Sequence, residues 1–424
     1  MNSPDSLALS AAASAGVTNR RRWLVVGLLF VASLINYLDR STISIALPLI
    51  SADLRLDPTR QGLLLSSFFW SYAFMQVPVG WCADRLNLRW LYAGAFVIWS
   101  VAQGMCGLAT GLGMLIAFRI ALGIGESIYL PGGTKIVSLL FSSTERGLPC
   151  GLFDFGTRIG LVMGGVLVPW LLVPYGWRGT FMLVGFLALL WLPPWLAVAP
   201  RGLSGQSSPP AASSALSSAP RRRTITFNRN LLGICLGLFC FDYYWYLLVT
   251  WLPNYLVTVR HLSILRAGIY AALPFFVFGA SEPIGGWLAD RLIRFGWNET
   301  RTRKGMVTVA FLTGLLLIPA ARVETPTAAI LLIVGGSLVG LATGNMIVIL
   351  QACAPHHEVG IWTGFENFAG NVGGILAPLL TGLLIEKTGS YFPGFVLGAL
   401  VLVTGLLAYW FVVGELTPPE ETPS

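Results

Sequence analysis

The chain has 424 residues, of which 55% are hydrophobic and only 11% charged, with mean hydropathy +0.72 and a formal net charge of +8. A soluble domain carries roughly 25% charged residues, so this chain cannot cover a water-facing surface, and a soluble enzyme is excluded. Its apolar surface must face lipid. The 48 glycines and 15 tryptophans agree, since small residues let membrane helices approach closely and Trp settles at the interface.

A spanning helix needs about 20 predominantly apolar residues. After a polar N-terminal tail, residues 1–22, such stretches fall at 23–50, 61–83, 90–109, 113–141, 147–173 and 180–198. The first is too long for a signal-peptide core and lacks a small-residue cleavage pattern, so it is expected to be a retained helix. Residues 201–223 read RGLSGQSSPPAASSALSSAPRRR, an aperiodic Ser/Pro/Ala run closed by arginines, which predicts a solvated linker over 201–228. Six more stretches follow at 231–257, 267–289, 305–320, 327–352, 360–385 and 392–413. The expected architecture is all-α, with twelve spans in two six-helix halves (23–200 and 229–414) and a short C-terminal tail, 415–424.

Charge placement sets the orientation. With the N-terminus inside, sixteen of the 27 Lys and Arg fall on the cytoplasmic side, seven on the outer side, and Arg40, Arg119, Lys135 and Arg158 within spans. This positive-inside bias predicts two cytoplasmic termini and a cell (inner) membrane protein, and it argues against a nucleic-acid partner. The six Cys (Cys82, Cys106, Cys150, Cys235, Cys240, Cys353) show no metal-ligand spacing and read as packing residues. His356 and His357 lie in a polar loop and cannot both face one ion from a regular helix. No metal and no cofactor is expected.

The sequence echoes itself. Residues 80–85 read GWCADR after the second stretch, and residues 286–291 read GWLADR after the eighth. Two related six-helix halves are the mark of a transporter built from repeats. The fuller segment 80–89, GWCADRLNLR, resembles the loop signature of the major facilitator superfamily, Gly-x-x-x-Asp-Arg-x-Gly-x-Arg, with Asn87 where the family has Gly. Gly80, Asp84, Arg85 and Arg89, with Gly286, Asp290 and Arg291 of the echo, are thus expected to form its conformational loop motif. Asp84 is expected near a neighbouring helix N-terminus, and Asn87 replaces Gly as a residue that tolerates a left-handed turn. Lys135 is expected to snorkel to the interface.

Residues 36–46 (NYLDRSTISIA), 68–78 (FFWSYAFMQVP), 119–131 (RIALGIGESIYLP), 251–255 (WLPNY) and 365–370 (FENFAG) are similar to the anion:cation symporter branch of that superfamily. The branch includes galactonate, glucarate and hexuronate carriers and sialin-type organic anion carriers. Charges inside spans point to function by default. Asp39 adjoins Arg40, while Arg119 and Glu126 stand seven apart, near one helical face. Protonating a carboxylate in such a set frees its Arg for a substrate anion; fixed ion pairs that hold helices together are the competing reading.

The resemblance implies roles. Asp39 and Glu126 are the proton-coupling acids, and Arg40 and Arg119 engage the substrate carboxylate or partner those acids. Tyr37, Tyr72, Thr157 and Asn367 line the cavity. Thr157 stands where the galactonate carrier has Gln and Ile347 where it has a cavity Trp, so the implied substrate is a class, not galactonate itself. Asp154 and Arg158, i,i+4 neighbours, and Glu282 are secondary cavity charges or local pairs. Asp242 and Glu366 read as interfacial or locally paired. Gly151, Gly156, Gly160, Gly164 and Gly165, and likewise Gly364, Gly370, Gly373 and Gly374, suit close helix contacts.

The function implied is a proton-coupled symporter importing a small organic anion, a sugar acid or related carboxylate. The partners are that anion, the proton and the lipid bilayer, and the protein is expected to be a monomer. An organic anion or organophosphate exchanger, or an exporter, is the alternative. The sequence has no H-E-x-x-H, no P-loop, and no G-x-S-x-G with triad partners, so an enzyme is not expected.

Overall fold

A computed structural model of the protein describes residues 18–141, 145, 147–203, 227–355 and 358–416. Most of the linker, both tail ends, His356 and His357 lie outside the described residues. The regular elements are helical: α1 (Asn19–Leu54), α2 (Pro58–Arg85), α3 (Leu88–Cys106), α4 (Leu112–Glu126), α5 (Tyr129–Leu140), α6 (Gly147–Ala188) and α7 (Leu192–Val198). These are followed by α8 (Arg229–Thr258), α9 (Ile264–Arg294), α10 (Glu299–Gly314), α11 (Leu317–Arg322), α12 (Pro326–Gly336), α13 (Thr343–Cys353), α14 (Val359–Thr388) and α15 (Phe392–Leu407).

Among the described residues, 10 helical stretches are long and apolar enough to cross a membrane. One of them, Gly147–Val198, has 52 residues, enough for two crossings. It breaks at Gly176, whose φ of 61° and ψ of −177° suit a residue without Cβ. With α3 as a further 19-residue helix, the pattern is consistent with twelve spans.

The expected span 113–141 is one membrane-length stretch, Leu112–Leu140, with a turn inside it. The stretch 113–141 breaks at Ser127 and Ile128, so Glu126 is the last residue of α4. Pro131 has no N–H to return to the Ser127 carbonyl. The Ser127 hydroxyl donates back to Ile124 O at 2.6 Å, which competes with helix continuation.

The described residues group into two compact units, those within 1–42 and 70–222, and those within 43–69 and 223–424. In the first, α6 lies on α1. A Cβ at Gly156, Gly160 or Gly164 would collide with Phe30 O, Leu34 O or the Ser41 hydroxyl. Small residues one turn apart thus let two backbones touch, as the spacing predicts. Gly151, by contrast, faces open space.

In the second unit, α14 lies on α8. A Cβ at Gly373 would sit 2.8 Å from Phe239 O. The segment 43–69 joins this packing: Gly62 lies against the Pro378 carbonyl, and Asn254 donates to Gln61 Oε1 at 3.1 Å and contacts Tyr391 Oη at 2.9 Å. The Trp251 indole donates to Pro378 O at 3.1 Å. Gly364 faces open space.

The echoed segments are structurally parallel but not loops. Residues 80–85 finish α2, and residues 286–291 lie within α9. Arg85 lies over Trp81 at 4.1 Å, and Arg291 over Trp287 at 5.5 Å. One partner is added and one expectation is corrected here. Asp84 pairs with Lys135 Nζ at 2.8 Å, both side chains partly exposed. Asn87 has φ −70° and ψ 111°, not a left-handed turn; its side chain caps α3 by accepting from Arg89 N. In the second unit Asp290 pairs with Arg303 at 3.0 Å, and Arg303 also reaches Glu299 at 2.9 Å.

Candidate functional site

The first unit buries four charges together. Asp39 and Arg40 come from the middle of α1, Arg119 from α4, and Glu126 from the α4 terminus that the Ser127 break creates. Asp39 and Glu126 are 0% exposed, Arg119 2% and Arg40 4%. Arg40 Nε donates to Glu126 Oε2 at 3.2 Å. The charged groups around Asp39 are Glu126, Arg119 and Arg40, yet neither oxygen of Asp39 has a hydrogen-bond partner among the described residues.

Two aromatic faces hold the Arg40 guanidinium. Tyr37 lies 4.6 Å and Tyr72 4.7 Å from its Cζ, the first one turn back on α1, the second on α2. A desolvated cation over an aromatic ring gains about 2 kcal/mol. The rings thus keep a buried cation in one place without neutralising it. In this structure its charge is met by Glu126 at 3.2 Å.

Other expected residues divide by unit. Thr157 is buried in the first unit, and its hydroxyl donates to Asp154 O at 2.7 Å within α6. Asp154 Oδ1 accepts from the Tyr129 hydroxyl at 2.9 Å. Arg158 follows one turn later on α6, half-buried. Asn367 and Glu282 belong to the second unit. Asn367 Oδ1 accepts from Asn371 Nδ2 at 2.7 Å, and Glu282 Oε1 accepts from the Thr343 hydroxyl at 3.5 Å. Glu366 is buried beside Asp242, and Asp242 also lies against Gly370.

Three neighbours were not singled out from the sequence. Asn36 is fully buried and faces Glu126. Cys106, from α3, is buried beside Arg119. Tyr129 holds Asp154. Asn36 and Tyr129 lie inside the segments 36–46 and 119–131, so their signal was present. Cys106 had none, because α3 carries no charge near it.

Long apolar helices around a buried, internally balanced charge cluster fit a transport protein. The family model of the Major Facilitator Superfamily matches residues 29–375 and 300–424. The chain belongs to that superfamily. It is 29% identical over 431 residues to a probable galactarate/D-glucarate transporter of Bacillus subtilis, covering 95% of this chain and 94% of that one. It is 31% identical over 409 residues to a probable L-galactonate transporter of Escherichia coli, covering 92% and 88%. A bacterial homolog of the human lysosomal transporter Spinster shares the fold, with TM-score 0.78 at 20% identity, over 93% of this chain and 97% of that one.

Proposed function

We propose that this chain is a proton-coupled symporter that imports a small organic anion, a sugar acid or related carboxylate, by alternating access. The observation that carries this reading is the buried Arg40–Glu126 pair with Asp39 beside it. Two acids and two arginines balance when both acids are ionised. A proton on either acid leaves one guanidinium charge uncompensated, and a substrate carboxylate can supply the missing negative charge. Proton and anion then favour each other's binding, and the coupling is reciprocal by linkage. Arg suits the anion because its fork matches a carboxylate.

The relatives' names point to the same substrate class: galactarate and glucarate, galactonate, and hexuronate. In this reading Tyr37, Tyr72, Thr157 and Asn367 contact the sugar-acid hydroxyls. The transporter works as a monomer in the cell inner membrane with both termini cytoplasmic, and its halves are 23–200 and 229–414. The test is uptake into proteoliposomes under an acid-outside gradient, with galactonate, glucarate and galacturonate as substrates. Gradient-driven accumulation of at least one is expected, with loss of accumulation but retention of counterflow in Glu126→Gln. Accumulation that survives in both Asp39→Asn and Glu126→Gln would sink the mechanism.

A further inference from the structure

Where α1 and α3 begin and α7 ends, the first unit holds a cavity of about 290 Å³ lined by Arg21, Arg89, Leu196, Ala197 and Arg201. Three of its five lining residues are arginines, and none is an acid. The three guanidinia are nevertheless placed by specific contacts. Arg21 Nε donates to Val198 O at 2.7 Å, and Arg89 Nη2 donates to Leu196 O. Both contacts use carbonyls at a helix C-terminus, where cations are favoured.

Arg201 has an exposed side chain on a fixed backbone. Asn87 Nδ2 donates to Arg201 O at 2.8 Å, and Leu88 N donates to Leu203 O at 2.7 Å. The Asn that replaces the family's Gly therefore pins the third arginine at the cavity mouth. Arg89 Nε is buried and has no partner among the described residues. A buried donor of this kind calls for an acceptor. Carbonyls orient the arginines but bring no negative charge, so the cavity carries a threefold positive excess.

We infer that this cavity binds a phosphate group. Guanidinium forks match phosphate oxygens in pairs, and the volume admits a phosphate with a small glycerol-sized substituent. The source is an anionic phospholipid headgroup or a free phosphate. The neighbouring Trp90 is 61% exposed, with Arg89 5.4 Å from its ring. Exposed Trp is the residue of the membrane interface, and basic pockets between helices at that depth take lipid headgroups.

The test is thermal stability of the full-length protein in detergent micelles. Three additions are compared at matched ionic strength: phosphatidylglycerol, phosphatidylcholine and inorganic phosphate. Stabilisation by phosphatidylglycerol over phosphatidylcholine is expected, with apparent affinity falling about fivefold per arginine in Arg201→Gln and in Arg21→Gln/Arg201→Gln. Stabilisation by phosphatidylglycerol alone assigns a headgroup site; stabilisation by inorganic phosphate as well assigns a site open to soluble phosphate. Neither effect in the unmodified protein, or an equal effect in the variants, overturns the assignment. Arg201→Gln changes only an exposed side chain, so the comparison does not depend on refolding the site. No arm measures transport, so the outcome stands whatever the chain carries.

Discussion

Arg40 on α1 and Glu126 at the end of α4, 86 residues apart in sequence, meet in a buried ion pair with Nε and Oε2 3.2 Å apart. Removing one partner leaves the other charged in a low-dielectric interior, which costs about 3–5 kcal/mol. Arg40→Ala should therefore lower the unfolding midpoint sharply, and Arg40→Ala/Glu126→Ala should recover a large part of that loss. A double-mutant cycle of thermal or denaturant unfolding in detergent measures it. A double variant no more stable than the single one would mean that Glu126 does not depend on Arg40.

Asp39 separates stability from coupling. Its carboxyl is buried, with no hydrogen-bond partner for either oxygen among the described residues. Asn has the same shape and no charge to desolvate, but it leaves one buried guanidinium of the cluster uncompensated, so Asp39→Asn should lower thermal stability less than Arg40→Ala does. In proteoliposomes the same variant should lose gradient-driven accumulation. A drop in melting temperature as large as that of Arg40→Ala would assign Asp39 a structural role instead.

The α1–α6 crossing has no space for a methyl group. A Cβ at Gly160 would strike the backbone carbonyl of Leu34, not the end of a flexible side chain. Gly160→Ala should cost about 1–3 kcal/mol by overpacking, whereas Gly151→Ala on the same helix, facing open space, should be close to neutral. The difference in melting temperature between the two variants is the readout.

Asn87 serves two contacts at once. Its side chain accepts from Arg89 N and donates to Arg201 O. Asn87→Ala should lose about 1 kcal/mol as a lost helix cap. Asn87→Gly restores the family residue and should lose only a few tenths as a cap. Both variants should show greater mobility of residues 201–203 by hydrogen exchange.

The two echoed ion pairs should differ in strength. Lys135 and Asp84 are 30% and 62% exposed, so Lys135→Ala should cost at most about 1 kcal/mol. Arg303 is 9% exposed and reaches Asp290, Glu299 and Asn345. Its charge-assisted bonds are stronger, so Arg303→Ala should cost about 1.5–3 kcal/mol. Equal melting shifts for the two variants would show that burial of Arg303 adds nothing.

The sequence by itself determined the membrane character, the positions of the spans and which charged residues lie inside them. Lipid leaves few polar residues in a span, so Asp39, Arg40, Arg119 and Glu126 stood out from an apolar background, as did the repeated GW-x-ADR segments. The glycine ladder 156, 160, 164 was equally legible, because its period is the helix's own. Which charges pair was not legible. Periodicity put Arg119 and Glu126 on one face and Asp39 next to Arg40, but it says nothing of a neighbouring helix. Only the packing of α1 against α4 joined Arg40 to Glu126, and only the break at Ser127 put that acid at a helix end. Asn87 is the same lesson at the surface. Its substitution for Gly was visible in the chain, but its bond to Arg201, 114 residues away, exists only because the end of α7 returns to the start of α3.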